Sequence, residues 1–114
     1  MRILVLGDVV ALSGRNAIKK NLKEIIKKNQ INFSIINGEN AADDGKGITK
    51  KIAEELFSIG IDVITSGNHI WDKEETIKFI EKESRLLRPA NLAEGSPGKG
   101  YGIYFTKDKK YRVA

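Results

Sequence analysis

The segment Phe33-Ser34-Ile35-Ile36-Asn37-Gly38-Glu39-Asn40 sets a short apolar run directly before a glycine and two polar residues able to hold a cation. The same arrangement occurs twice more. Residues 2–6 (Arg-Ile-Leu-Val-Leu) run into Gly7-Asp8, and residues 61–65 (Ile-Asp-Val-Ile-Thr) pass through Ser66 to Gly67-Asn68-His69. Short β-branched runs closed by glycine read as buried strands. Each is followed by a helical pattern. Ala17, Ile18, Leu22, Ile25 and Ile26 recur at helical spacing between Gly14 and Asn29. Ile48, Ile52, Leu56 and Ile59 form a second stripe with Gly60 as its stop. Asp72 with Glu75 three residues on reads as a capping box for a third helix carrying Ile77 and Ile80. Strand then helix, three times over, predicts an α/β fold with a parallel sheet and crossover helices. Leu86-Leu87-Arg88 is a fourth short strand before Pro89. Residues 101–106 and 111–114 read as a hairpin about the turn Lys107-Asp108-Lys109-Lys110. The pattern breaks off inside the second hairpin strand, so the chain is expected to be the front part of a longer protein.

The 114 residues suit one domain, since domains typically hold ~100–150. The absence of Cys excludes disulfides, zinc ribbons and thiol catalysis. No apolar run approaches the ~20 residues of a membrane span, and the strand-like Arg2-Ile3-Leu4-Val5-Leu6 reads as too short for a signal peptide and lacks a cleavage site. A cytoplasmic, soluble protein with no membrane partner is expected. The net charge of +5 lies entirely in residues 1–30, chiefly at Lys19, Lys20, Lys23, Lys27 and Lys28. Lys outnumbers Arg fifteen to five, and the planar fork favoured by nucleic-acid sites is Arg's. The strip therefore reads first as the solvated face of a helix, with nucleic-acid binding a distant alternative.

Ligands of parallel sheets collect at the carboxyl ends of the strands. Here those ends bear Asp8, Glu39-Asn40 and Asn68-His69, each group directly after a glycine. Two carboxylates, two amides and one imidazole form an oxygen-rich donor set, suited to Mg, Ca or Mn, and with imidazole also to Fe. Paired metals of this kind serve phosphoester hydrolysis by clamping the attacking and leaving oxygens. Neutral Asn ligands limit the negative charge facing a phosphate, and His69 is left free as an acid or a phosphate contact. Taken singly, Asp8 is equally a turn or cap residue, and Glu39-Asn40 equally loop polarity. The coincidence of three strand ends carries the reading. Trp71 reads as a packing residue, Asp43 and Asp44 as a solvated loop, and Arg15 as a surface residue. The glycine-rich segments 44–47 and 95–100 match no phosphate-binding fingerprint and read as rims of the crevice.

Gly7-Asp8-Val9-Val10, Asn37-Gly38-Glu39-Asn40-Ala41-Ala42, Gly67-Asn68-His69-Ile70-Trp71-Asp72 and Arg88-Pro89-Ala90-Asn91 together resemble, in order, the YmdB-type metallophosphoesterases, bacterial members of the calcineurin-like superfamily. The resemblance implies that residues 1–114 are the N-terminal portion of a single domain, half of a four-layer α/β/β/α sandwich. It implies a centre of two metal ions, Fe or Mn, and hydrolysis of phosphodiesters with 2′,3′-cyclic nucleotides as the substrate class. On the family pattern Asp8 and Glu39 are metal ligands, Glu39 bridging. Asn40 is a second-site ligand or its neighbour, Asn68 a ligand, and His69 the acid or phosphate contact. Val10 stands where the wider superfamily carries a His. Ala11-Leu12-Ser13-Gly14 departs from the Gly-Ser-Pro-Gly common in the subfamily. Two metals share about ten to twelve coordination positions, more than this chain's donors fill. A missing C-terminal half, or a second copy in a homo-oligomer, is therefore an expected partner. The alternative is a catalytically inactive fragment acting as a structural or self-associating module.

Overall fold

The computed structural model describes all residues, 1–114. In chain order the elements are β1 (Ile3–Asp8), α1 (Ala11–Asn29), β2 (Phe33–Asn37), α2 (Lys50–Ser58), β3 (Val63–Thr65), a 3₁₀ turn (Asn68–Trp71), α3 (Glu74–Ile80), β4 (Leu86–Leu87), β5 (Tyr104–Phe105) and β6 (Arg112–Val113). The first four strands form one parallel sheet in the order β1-β2-β3-β4, and β5 pairs antiparallel with β6. The α/β fold expected from the sequence is thus present, with the fourth strand and the hairpin. The third strand is shorter than expected, beginning at Val63 rather than Ile61, because Asp62 closes back on β2. Its carboxylate accepts the Ser34 N–H at 2.8 Å and the Ser34 hydroxyl at 2.9 Å. α1 begins earlier, at Ala11, before the apolar stripe starts.

Strands that follow one another in order, joined by right-handed crossovers, place every connecting helix on the same face. Register makes this concrete. Leu6, Ile36, Ile64 and Leu86 pair in one row across the four strands. They pack with Leu22 of α1, Ile52, Ala53 and Leu56 of α2, and Ile80 of α3 in the main core. Side chains alternate along a strand, so the neighbouring row belongs to the opposite face. That row runs Val5, Ile35 and Val63. The β5–β6 hairpin covers part of it, where Phe33 and Val63 pack with Val113, Ile35, Leu87 and Tyr104. Cover ends before β1, where Val5 is 69% exposed. A second layer therefore begins on this face without closing it.

Local chemistry explains the helix limits. α1 ends where Gln30 adopts φ 53° and its N–H turns back to the last-turn carbonyls, with Lys27 and Lys28 complementing the negative helix end. The five lysines of the strip are exposed along α1. The Thr49 hydroxyl caps α2 by accepting from Ile52 N–H at 3.2 Å, and Gly60 follows its end at φ 118°. The expected capping box at Asp72 is not formed. α3 starts after Lys73 without a side-chain cap. Asp72 is drawn instead to His69, and Glu75 accepts the Lys50 N–H of α2 at 3.0 Å.

Candidate functional site

The carboxyl ends of β1, β2 and β3 lie side by side, because Asp8 pairs with Asn37 and Asn37 with Thr65. A register shift at Gly7 sets Asp8, rather than the glycine, opposite Asn37. The β2–α2 loop then turns sharply along this edge. Asn37 Oδ1 accepts the Glu39 N–H at 3.0 Å, an Asx turn that fixes the peptide entering Glu39. Gly38 N–H bonds Thr65 O at 2.9 Å, and Gly47 N–H bonds Glu39 O at 2.6 Å. Asn40 O accepts from Ala11 N–H at 2.9 Å. The Asn40 carboxamide donates to Asp8 Oδ2 at 2.7 Å. Two of the donor residues singled out in the sequence are therefore in direct contact.

Glu39 shows why the third strand end carries a glycine. A Cβ on Gly67 would stand 2.5 Å from Glu39 Cδ and 2.9 Å from Oε1. The carboxylate occupies the space that any other residue's side chain would fill. Its Oε2 is buried and has no hydrogen-bond partner within the protein. A buried anionic oxygen without a partner is costly, by several kcal/mol for an isolated ion, unless a cation meets it. Asn68 and His69 follow Gly67 at the start of the 3₁₀ turn. Asn68 is exposed, and His69 is half-buried with Nδ1 2.8 Å from Asp72 Oδ2. An ionised Asp72 accepts the Nδ1 proton, leaving Nε2 as the second ring nitrogen.

The donors present suit a hard or borderline cation. They are also sparse: nowhere in the chain do three His, Asp or Glu side chains form a group able to hold a metal. The arrangement at this edge is two carboxylates backed by amides. Around it, Lys73 Nζ pairs with Asp44 Oδ2 at 2.6 Å, and this bond, with one from Lys46 N–H, holds the Asp44 carboxyl below its usual range. Asp43 is exposed as expected, but both loop aspartates are ion-paired rather than only solvated. Arg15 is not a surface residue. It is buried and reaches the β2–α2 loop from the second turn of α1. Trp71 packs against the main core.

Three residues emerge that the sequence reading did not place at the site: Asn37, Asp72 and Arg15. Asn37 was legible as an Asx turn two residues before Glu39. Asp72 was legible from its i, i+3 spacing to His69 on a tight turn. The one Arg in a Lys-rich helix was the signal for Arg15.

Comparison with known proteins meets this geometry directly. The sequence profile of the YmdB-like protein family matches residues 4–114. The chain belongs to the YmdB-like family. A 2′,3′-cyclic-nucleotide 2′-phosphodiesterase of Bacillus subtilis (strain 168) is 52% identical over 113 residues, covering 99% of this chain and 42% of that protein. Among solved structures, a hypothetical protein of Thermus thermophilus superposes with a TM-score of 0.84 at 36% identity, covering 94% of this chain and 41% of that one. A Mycoplasma pneumoniae phosphatase superposes with a TM-score of 0.83 at 34% identity, covering 93% and 39%. This YmdB-like chain thus spans about two fifths of the length of the relatives it matches. The relatives with named activities are a cyclic-nucleotide phosphodiesterase and a phosphatase, both hydrolases of phosphate esters. No helix is long and apolar enough to cross a membrane.

Proposed function

We propose that this chain is the N-terminal portion, residues 1–114, of a single metallophosphoesterase domain that hydrolyses phosphodiesters, with 2′,3′-cyclic nucleotides as the substrate class. The observation that carries the reading is the buried, unpartnered Glu39 oxygen, set at the strand edge where Asp8, Asn40, Asn68 and His69 also lie. Asp8, Glu39, Asn40 and Asn68 would hold part of a pair of iron or manganese ions. Such ions, when bound, supply Lewis-acid polarisation of a phosphoryl group. The protein's own groups do the rest. The Asn amides add no negative charge to a site that must receive an anionic diester. Asp72 fixes the His69 ring through Nδ1, so that in the imidazolium form Nε2–H would be held to donate to a phosphate or leaving oxygen.

Further ligands are expected from outside this chain, as its coverage of two fifths of its relatives supports. The C-terminal part of a longer protein is the first candidate, and a second copy in a homo-oligomer the next. A cytoplasmic setting suits a chain without Cys. A second reading, an inactive and self-associating fragment, is favoured by the sparse donor set and by the bare sheet face at Val5. The test is Mn²⁺-dependent hydrolysis of an aryl phosphodiester and of a 2′,3′-cyclic nucleotide by the chain and by His69→Ala. Metal-dependent turnover that falls in the variant supports the hydrolase. A folded, monodisperse sample with no turnover supports the fragment reading for this chain.

A further inference from the structure

Arg15 is the most buried charged side chain in the molecule, 6% exposed, and it is none of the donor residues to which the proposed function gives a role. It rises from the second turn of α1. Its guanidinium donates to the carbonyl of Ala41, the residue directly after Asn40, and to Asp43 Oδ1 at 2.7 Å. Its Nε is buried without a partner. Stability does not explain this placement. Taking a guanidinium out of water costs several kcal/mol, and a fully matched, enclosed carboxylate is needed to offset it. Asp43 is 81% exposed, so solvent screens that pair. An apolar side chain of similar length would fill the same space without the desolvation cost.

What the guanidinium does achieve is registration. Two bonds from the start of α1 seize the β2–α2 loop at successive carbonyls: Ala11 N–H to Asn40 O, and Arg15 to Ala41 O. Asn40 in turn meets Asp8 across the β1–β2 boundary. Lys73 grips the same loop from the far side at Asp44. We infer that Arg15 is a positioning residue, whose planar fork holds the loop at Ala41 and Asp43, directly after Asn40, so that the Asn40 carboxamide and the Asp8 carboxylate present their oxygens together to a cation. This rests on the metal-centre reading proposed above. Lys cannot reproduce the fork, because a single ammonium lacks its fixed pair of donor directions.

The test is Mn²⁺ titration of the chain by calorimetry, alongside amide hydrogen exchange at Ala11, whose N–H reports the Asn40 peptide. Arg15→Met and Arg15→Lys are compared with Ile26→Ala, a control that weakens α1 packing at its opposite end. The expected result is about tenfold weaker Mn²⁺ binding in Arg15→Met, the loss typical of residues that orient metal ligands. Arg15→Lys is expected to fall between it and the unsubstituted chain, and Ile26→Ala to match the unsubstituted chain. Ala11 exchange is expected to accelerate in Arg15→Met beyond its rate in Ile26→Ala. Unchanged Mn²⁺ affinity in Arg15→Met, or an equal loss in Ile26→Ala, overturns the inference. If the unsubstituted chain itself takes up no Mn²⁺, the metal reading fails for this chain. Ala11 exchange then decides the positioning role alone, and an unchanged rate in Arg15→Met overturns it. Should Arg15→Met not fold, Arg15→Lys carries the same comparison.

Discussion

Replacing Gly67 by Ala isolates the Glu39 carboxylate from everything around it. The added Cβ would overlap Glu39 Oε2 and stand 2.5 Å from Cδ, whereas ordinary contact begins near 3.4 Å, so the carboxylate must move by well over ~1 Å. Gly67 has φ −141°, so the alanine incurs no left-handed backbone penalty. The atoms displaced are the far end of a flexible side chain, so the fold itself loses only about 1 kcal/mol, the low end for overpacking. The ligand geometry has no such tolerance. Displacing a ligand's support typically costs about 10–100-fold in metal affinity, and a misplacement of about 1 Å reaches 10²-fold in catalysis. The assay is Mn²⁺ titration of both proteins by calorimetry, with thermal melts followed by circular dichroism. Weaker Mn²⁺ binding with a melting temperature within a few degrees is expected. Unchanged affinity with an unchanged melt would refute the reasoning, because the carboxylate would have moved without consequence. A collapse of stability would refute it differently, showing Glu39 to be a packing element.

Other consequences follow from the same structure. Ala11 sits at φ 51°, a conformation costing about 1–2 kcal/mol for an L-residue. Set against the entropy lost by glycine on folding, Ala11→Gly is expected to stabilise by about 0.5 kcal/mol, or about 2–4 °C in melting temperature; a lowered melt contradicts this. Arg85 hydrogen-bonds Glu83 and holds its carboxyl below the usual range. That contribution is full above the unfolded carboxyl's ordinary value near 4.5 and is lost as pH falls through the depressed folded value. The melting difference between the unsubstituted chain and Glu83→Gln is therefore expected at neutral pH and should vanish in acid; a constant difference down to strong acid contradicts the pairing. Val5 is 69% exposed, so Val5→Lys should leave the melt unchanged while reducing any self-association seen by light scattering. If the oligomer persists in Val5→Lys, that face is not its interface.

The fold was legible because its determinants are local. Short apolar runs in β1 and β2 mark strands, helical stripes in α1 and α2 each point to one face, and the repeated order leaves one topology. The short β3 was misjudged because Asp62 looks like a strand residue until its bond to Ser34 is seen, a contact between residues far apart in sequence. The strand-end donors were legible for the same local reason, each following a glycine. Their supports were not. Asp72 satisfies a capping-box spacing equally well as a partner for His69, and only the 3₁₀ turn from Asn68 to Trp71 decides between them. Arg15 sits in a basic helix whose other cations are exposed, so composition hides it; its burial follows from the loop that closes over α1. The sparseness of the donor set was legible too, since a chain with one His cannot supply two ions alone.

The most direct measurement is a crystal of this chain grown with Mn²⁺, with anomalous diffraction collected at the manganese edge. The account predicts an anomalous peak within coordination distance, about 2.0–2.3 Å, of an Asp8 or Glu39 oxygen, absent from Glu39→Gln crystals. A manganese peak elsewhere, or none at this edge with the site accessible in the lattice, would contradict the claim that these strand ends form part of a metal centre.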